Sequence, residues 1–348
     1  MKAIKFKMVV TFSVVLLLMM AACTEKQPKE NTQTIDIDFR NAISLKEAVS
    51  SMDVLMLQDS SVAHFPGDLT KVVWTGDSIF VLDARRDPGI YLYNSEGILT
   101  NSYTKKGNGP DEFVGLVDFN ITPSEIILLD TYSTSQRIFL DRKFLFQHKE
   151  EAEEQARHFF SEGKNGGVWY DRGNIAYGSN KDKLIYINGK KRKAILPVPK
   201  DIENVTFASP NVFFEVSNDT ILYLPTVEPR IYKCYNEQAE IFCELNFGER
   251  WPDFSDGAKN ENPLELMRRI SDEGKIYSIN MLSDGKDIAI TFFCEDIFYI
   301  LMLEYDDLST YRLFKVDKET LKSLGALVTV TDGCLVFGEP GKLLKLKI

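Results

Sequence analysis

Histidine is scarce. His64, His148 and His158 are the only three in 348 residues, and no two form an HxH or HExxH pattern. No metal centre is therefore signalled by local motif, and neither a metal nor another cofactor is expected. Cysteine is nearly as sparse. Past Cys23 come only Cys234, Cys243, Cys294 and Cys334, none in a CxxC. That excludes a zinc ribbon and a dithiol redox motif. No G-x-S-x-G elbow announces a hydrolase nucleophile. The Gly107-Asn108-Gly109-Pro110 run lacks a phosphate-loop lysine and a following helix, so it does not cradle a nucleotide. Positive charge is also in deficit. Lys and Arg total 41 against 51 Asp and Glu, a formal charge of −10, which makes nucleic acid a poor partner. With 21 glycines and 13 prolines, the chain is neither low-complexity nor fibrous.

What is present begins at the N-terminus. Lys2, Lys5 and Lys7 precede an apolar run, Met8 to Ala22, broken only by Thr11 and Ser13. The run is too short for a membrane span, which needs roughly 20 apolar residues. It ends Met20-Ala21-Ala22-Cys23. Small residues before a cysteine resemble the lipobox of bacterial lipoproteins, with Met20 where leucine is usual. Cys23 would then carry the lipid, and the membrane would be reached through it. Cleavage removes three lysines and no acid, taking the charge from −10 to −13. The polar stretch from Thr24 to Gln33 reads as a tether. Residues 1–22 are thus assigned to a signal peptide, 23–33 to a lipid-anchored tether and 34–348 to one folded domain. Cys234 and Cys243 flank a hairpin-like run. Either they bridge across it, or all four thiols serve as small apolar core groups.

The folded region repeats. Short β-rich runs recur, each followed by a turn and a second run. Anchors at Ile79, Ile126, Ile175, Ile221, Ile288 and Leu335 are spaced by 47, 49, 46, 67 and 47 residues. Roughly 40–50 residues is the period of a four-stranded propeller blade, and the outlier marks an insertion of about twenty residues. Turn residues such as Thr75-Gly76-Asp77 and Thr331-Asp332-Gly333 separate the runs. The sixth blade falls one strand short at Ile348. The run Asp53 to Gln58 supplies the missing outer strand and closes the ring, which removes an exposed sheet edge. Ser44 and Glu47 have capping-box spacing for a short helix before it. The expected fold is all-β: a six-bladed β-propeller of four-stranded antiparallel blades, closed by an N-terminal strand.

Three features carry a resemblance: the lipobox at Cys23, the strand end Val81-Leu82-Asp83, and Gly107-Asn108-Gly109-Pro110-Asp111-Glu112-Phe113 with its G-x-G-P-x-E pattern. The chain resembles the six-bladed β-propeller lipoproteins of Gram-negative gut bacteria, allied to NHL-repeat propellers. The resemblance implies a fold and a stable lipid anchor more than an activity. Thr24 is not the aspartate that retains some lipoproteins on the inner membrane, which points to the outer membrane and leaves the leaflet open.

If strands A to D run outwards in each blade, the B–C loops and the connections to the next blade share one face. The long segments, Lys105–Gly115, Lys149–Gly167, Pro197–Ser209 and Gly248–Lys275, all fall there, so that face is the expected site. Candidate ligand-binding residues are Asp83, Arg85, Arg86, Glu112, Asp130, Arg137, Trp251 and Arg268. Paired guanidiniums could hold an anion, and Trp251 could stack on a sugar or peptide. Lys149 to Phe160 reads as a short acidic helix. Pro263 to Ile270 reads as another, with Leu264, Met267 and Ile270 on one side. The leading expectation is a binding or scaffold module for a glycan, a peptide or an outer-membrane protein. The alternative is a lyase or hydrolase using strand-end carboxylates such as Asp83, Asp130, Glu295 or Asp296 in the central funnel.

Overall fold

The computed structural model describes residues 32–58, 66–131, 135–163, 166–174, 181–203, 205, 207, 209–217, 220–254 and 262–348. Cys23 and His64 lie outside them. Residues Thr34–Ile348 form one compact unit.

The strands assemble into six sheets, each built on four antiparallel strands, with a fifth short strand added at the outer edge of two of them. Blade I is Lys71–Thr75, Ser78–Asp83, Gly89–Asn94 and Leu99–Tyr103. Blade II is Leu116–Ile121, Glu125–Thr131, Ser135–Asp141 and Phe146–Glu151. Blade III is His158–Ser161, Val168–Asp171, Asp182–Asn188 and Lys191–Pro197. Blade IV is Phe213–Ser217, Thr220–Tyr223, Arg230–Tyr235 and Gln238–Asn246. Blade V is Tyr277–Ser283, Asp287–Cys294, Ile297–Glu304 and Asp307–Val316. Blade VI is Ala326–Thr331, Cys334–Glu339 and Lys342–Lys347, completed by Ser51–Met56 from the N-terminus.

The second strands show why the sequence folds this way. Ser78–Asp83 is buried at five of its six positions and Glu125–Thr131 at five of seven, without alternation. Each blade packs against a neighbour on both faces, so continuous apolar runs are required rather than alternating ones. Separate core clusters fill the seams. Phe80, Phe119 and Phe144 pack between blades I and II. Trp169, Tyr186 and Tyr223 pack between III and IV. Val72, Val328 and Leu343 join VI to I.

Ring closure follows the expected route. Ser51–Met56 runs antiparallel to Lys342–Lys347, from Ser51 opposite Lys347 to Met56 opposite Lys342. The backbone of Gln58 then pairs with Gly97 and Leu99 on blade I. At Gly97, φ is +80° and an added Cβ would lie 2.2 Å from the Met56 carbonyl oxygen. Only glycine fits there. The N-terminal segment does more than close the ring. Gln33–Asp36 forms the outer edge of blade IV, and Ile43–Ser44 pairs in parallel with the outer strand of blade V. The helix Leu45–Ala48 follows Ser44, whose side chain makes no capping bond.

Three local expectations are corrected. The second strand of blade III is Val168–Asp171, not the Asn174–Gly178 run, whose residues 175–178 lie outside those described. Two apolar runs straddle Gly173, and pairing with Asp182–Asn188 selects the first. No helix forms over Lys149–Phe160: Phe146–Glu151 is an outer strand and His158–Ser161 an inner one. Glu150 stands opposite Arg137 in that ladder, and tertiary pairing overrides glutamate's helical preference. On the helix Pro263–Asp272, Leu266 and Ile270 are buried, whereas Leu264 is 75% exposed. All four described cysteines are free and buried. Cys234 packs towards blade III and Cys243 towards blade V, so they lie in different seams.

Candidate functional site

The strand-end aspartates meet backbone amides. Asp83 is fully buried. Its Oδ1 accepts from the N–H groups of Arg85 and Arg86, and its Oδ2 from those of Gly67, Asp68 and Asp87, at 2.7–3.0 Å. Burial alone would raise its pKa, but these amides outweigh it and hold the carboxyl below the usual range. Asp130 repeats the device in blade II, accepting from Val114 and Gly115 at 3.0 and 2.7 Å. Asp171 repeats it in blade III, accepting from the Gly173 amide and the Tyr223 hydroxyl. Each carboxylate pins a B–C loop or the incoming connection to its strand end.

The G-x-G-P-x-E loop has a similar logic. The Glu112 carboxylate accepts from the Gly109 amide at 2.7 Å. A Cβ at Gly107 would lie 2.1 Å from Glu112 Oε2, so the glycines make room for the glutamate. The Glu112 carbonyl also accepts from Lys149.

The other candidate residues disperse. Arg137 is buried, paired with Glu150 and Glu153 at 2.5 and 2.8 Å. Trp251 stacks on Phe247 and meets Phe254 edge-on. Arg268 is exposed on its helix, whose inner face packs on Ile202, Val205, Phe207 and Val227. Arg86 is exposed and lies against Gly67. Arg85 is exposed, 3.6 Å from Asp68, and of the arginines expected at a site it alone lines the cavity described next.

A buried polar knot ties together the inner strands of blades I, II and III. Lys71 Nζ donates to Asp118 Oδ1 at 2.7 Å and to the Phe119 carbonyl at 2.8 Å. The Phe159 amide donates to Asp118 Oδ2 at 3.1 Å, and His158 Nδ1 lies 3.5 Å from the same oxygen. Burial opposes the charge on Asp118, but the Lys71 ammonium and His158 lower its pKa overall. Below the knot is a cavity of about 230 Å³ lined by the inner strands of all six blades, Lys71 among them. Above it, on the B–C loop face, a cup of about 420 Å³ spans blades I to IV. Its wall carries Thr70, Thr131, Ser209 and Thr226 hydroxyls, with Arg85, Arg157, His158 and Asp171. Arg157 is half-buried, and its guanidinium has no carboxylate partner among the described residues. Beneath Asp171, Lys183 pairs with Glu228. Burial pushes the Lys183 ammonium down to about 7, against the pull of Asp171. No group of three or more His, Cys, Asp or Glu is arranged to hold a metal among the described residues.

Sequence reading missed Lys71, Asp118, Arg157 and Ser209. Only the charges at the inner-strand positions Lys71 and Asp118 gave a signal, since charged side chains are rarely fully buried unless paired.

A closed ring of six blades, with a polar cup on the B–C loop face, defines a six-bladed propeller. The chain belongs to the 6-bladed beta-propeller family DUF5128, whose profile matches residues 24–336. It is similar to a conjectured exported protein of Bacteroides fragilis NCTC 9343, at 13% identity and a TM-score of 0.72, over 91% of this chain and 98% of that one. It is also similar to a member of the DUF4221 family from Bacteroides vulgatus, at 8% identity and a TM-score of 0.56, over 86% of this chain and 96% of that one. Likeness at such identities concerns the fold alone. No curated protein matches the chain.

Proposed function

We propose that this protein is a lipid-anchored binding module of the cell envelope, most simply of the outer membrane, that takes a polar, negatively charged ligand in the cup. The ligand class is a glycan or peptide bearing a carboxylate. The observation that carries this is Arg157. A half-buried arginine lines a cup of hydroxyls without an ion pair among the described residues, in a protein whose net charge is −10. The one carboxylate among the described residues of the cup, Asp171, is held by the Gly173 amide and the Tyr223 hydroxyl. Guanidinium forks bind carboxylates bidentately, and hydroxyls match sugar or peptide polar groups. The lipobox at Cys23 supports the location, as does the exported character given to the similar Bacteroides fragilis protein. Catalysis by strand-end acids has less support, because Asp83 and Asp130 are engaged by backbone amides.

The test compares binding of galacturonate oligomers, neutral galactose oligomers and an acidic tripeptide by calorimetry. The charged probes should bind more tightly than the neutral one. Arg85→Ala with Arg157→Ala should weaken them by about tenfold or more, the loss of a charge-assisted contact. Unchanged affinity in the double variant would sink the assignment.

A further inference from the structure

A second recess opens on the same face. It has a volume of about 590 Å³ and lies over blades IV to VI. Ser209 lines the cup and the next residue, Pro210, lines this recess. The two sites therefore share a wall but differ in chemistry. Leu282, Phe293, Phe298, Leu321 and Leu327 make the second one largely apolar. Its volume falls in the range of small-molecule sites.

Its lip is cationic. Lys318 and Lys322 both line it, one turn apart on the helix Lys318–Leu324 with Leu321 between them. Both lysines are exposed, and neither has an acid partner among the described residues. Like charges four residues apart on a helix repel each other, and an anion between them would relieve that repulsion. An apolar recess under two unpaired ammonium groups suits an apolar group that carries a negative charge.

We propose that this recess binds the apolar arm of a carboxylate ligand, with Lys318 and Lys322 holding the acid group. The inference rests on the loop-face reading for its location but uses none of the cup's cationic residues. The shared chemistry, an apolar body ending in a carboxylate, is offered by a free acyl acid or by the apolar C-terminal residue of a peptide.

The test uses the protein lacking residues 1–23, which retains the compact unit Thr34–Ile348. Three probes are titrated by calorimetry: octanoate, N-acetyl-alanyl-phenylalanine and the uncharged octyl glucoside. At least one carboxylate should saturate a single site, with octyl glucoside weaker by about tenfold. Octanoate alone identifies an acyl ligand; the dipeptide alone identifies a peptide terminus. Lys318→Ala with Lys322→Ala should weaken the carboxylate by about tenfold and leave octyl glucoside unchanged. Ala326→Trp, placed at an exposed position on the rim, should abolish binding of all three by filling the recess. Failure of both carboxylates to saturate, or binding indifferent to the lysine pair and to Ala326→Trp, would overturn the proposal. Arg85→Ala with Arg157→Ala should leave octanoate binding intact. If that pair removes it, the ligand sits in the cup, and the recess proposal falls while the cup reading stands. If octanoate responds as expected but galacturonate never binds, the cup reading falls alone.

Discussion

A buried carboxylate ringed by five amides is an ionic anchor with a defined pH dependence. Asp83 ties Gly67 and Asp68, which precede the inner strand of blade I, to the loop Arg85–Asp87. Asn in its place would set an NH₂ group against some of these donors. The expected cost of Asp83→Asn is about 3 kcal/mol, since each unsatisfied buried donor costs roughly 1–3 kcal/mol. The folded pKa lies below the unfolded one. The ionised carboxylate's contribution is therefore complete above the unfolded value of about 3.9 and is lost as pH falls through the folded value. Denaturant melts should show the gap between wild type and variant narrowing on acidification through that window. A gap that stays constant there would show that ionisation of Asp83 does not drive the effect. The strand end Val81-Leu82-Asp83 is visible in the sequence as a repeated feature. Its role is not, because two of the five donors come from residues 15 and 16 positions away. Arg157 illustrates the same limit from the other side. Nothing in its neighbourhood in the chain shows that no described carboxylate pairs with it.

At the scale of elements, the ring depends on the N-terminal strand, and its register can be tested one residue at a time. Side chains alternate along a strand, so adjacent positions face opposite ways. Val54 is 55% exposed, while Leu55 packs against the cluster between blades VI and I. Val54→Asp should change stability by no more than about 0.5 kcal/mol, as surface substitutions do. Leu55→Asp should cost about 2 kcal/mol or more, because it removes an apolar contact and desolvates a carboxylate. Comparable losses at both positions would contradict the observed pairing of Leu55 with Leu343 and Val54 with Leu344. The closing strand was legible because the sixth blade lacked a partner and an unassigned β-run preceded blade I. The edge strands on blades IV and V were not legible. Gln33–Asp36 and Ile43–Ser44 span only four and two residues, too short for a periodic signal. The acidic run around Glu150–Glu154 misled for a related reason: its ladder partner Arg137 is thirteen residues away.

For the molecule as a whole, folding and location are separable. The described residues contain no helix long and apolar enough to cross a membrane, and the compact unit begins at Thr34. The proposed attachment through Cys23 predicts that Cys23→Ser, with residues 1–22 removed, moves the protein from the membrane fraction to the soluble fraction with an unchanged melting temperature. Retention in membranes of the variant after removal of residues 1–22 would rule out the lipid as its anchor. Within the molecule, the buried Lys71–Asp118 pair joins the inner strands of blades I and II.

Periodicity by itself determined the number of blades, their antiparallel four-stranded build and the need for a closing strand. A repeat of nearly constant length, each with its own turn residues, is a local property that is additive along the chain. Tertiary structure alone decided which polar groups are satisfied. Asp83, Asp130, Glu112 and Arg137 look like a site in one dimension, yet each finds its partners inside the fold. Arg157, Lys318 and Lys322 look like solvated surface charges, yet the ring sets them around recesses without carboxylate partners among the described residues. Hydrogen bonding and charge neutralisation depend on distances across blades, and those are set only when the ring closes.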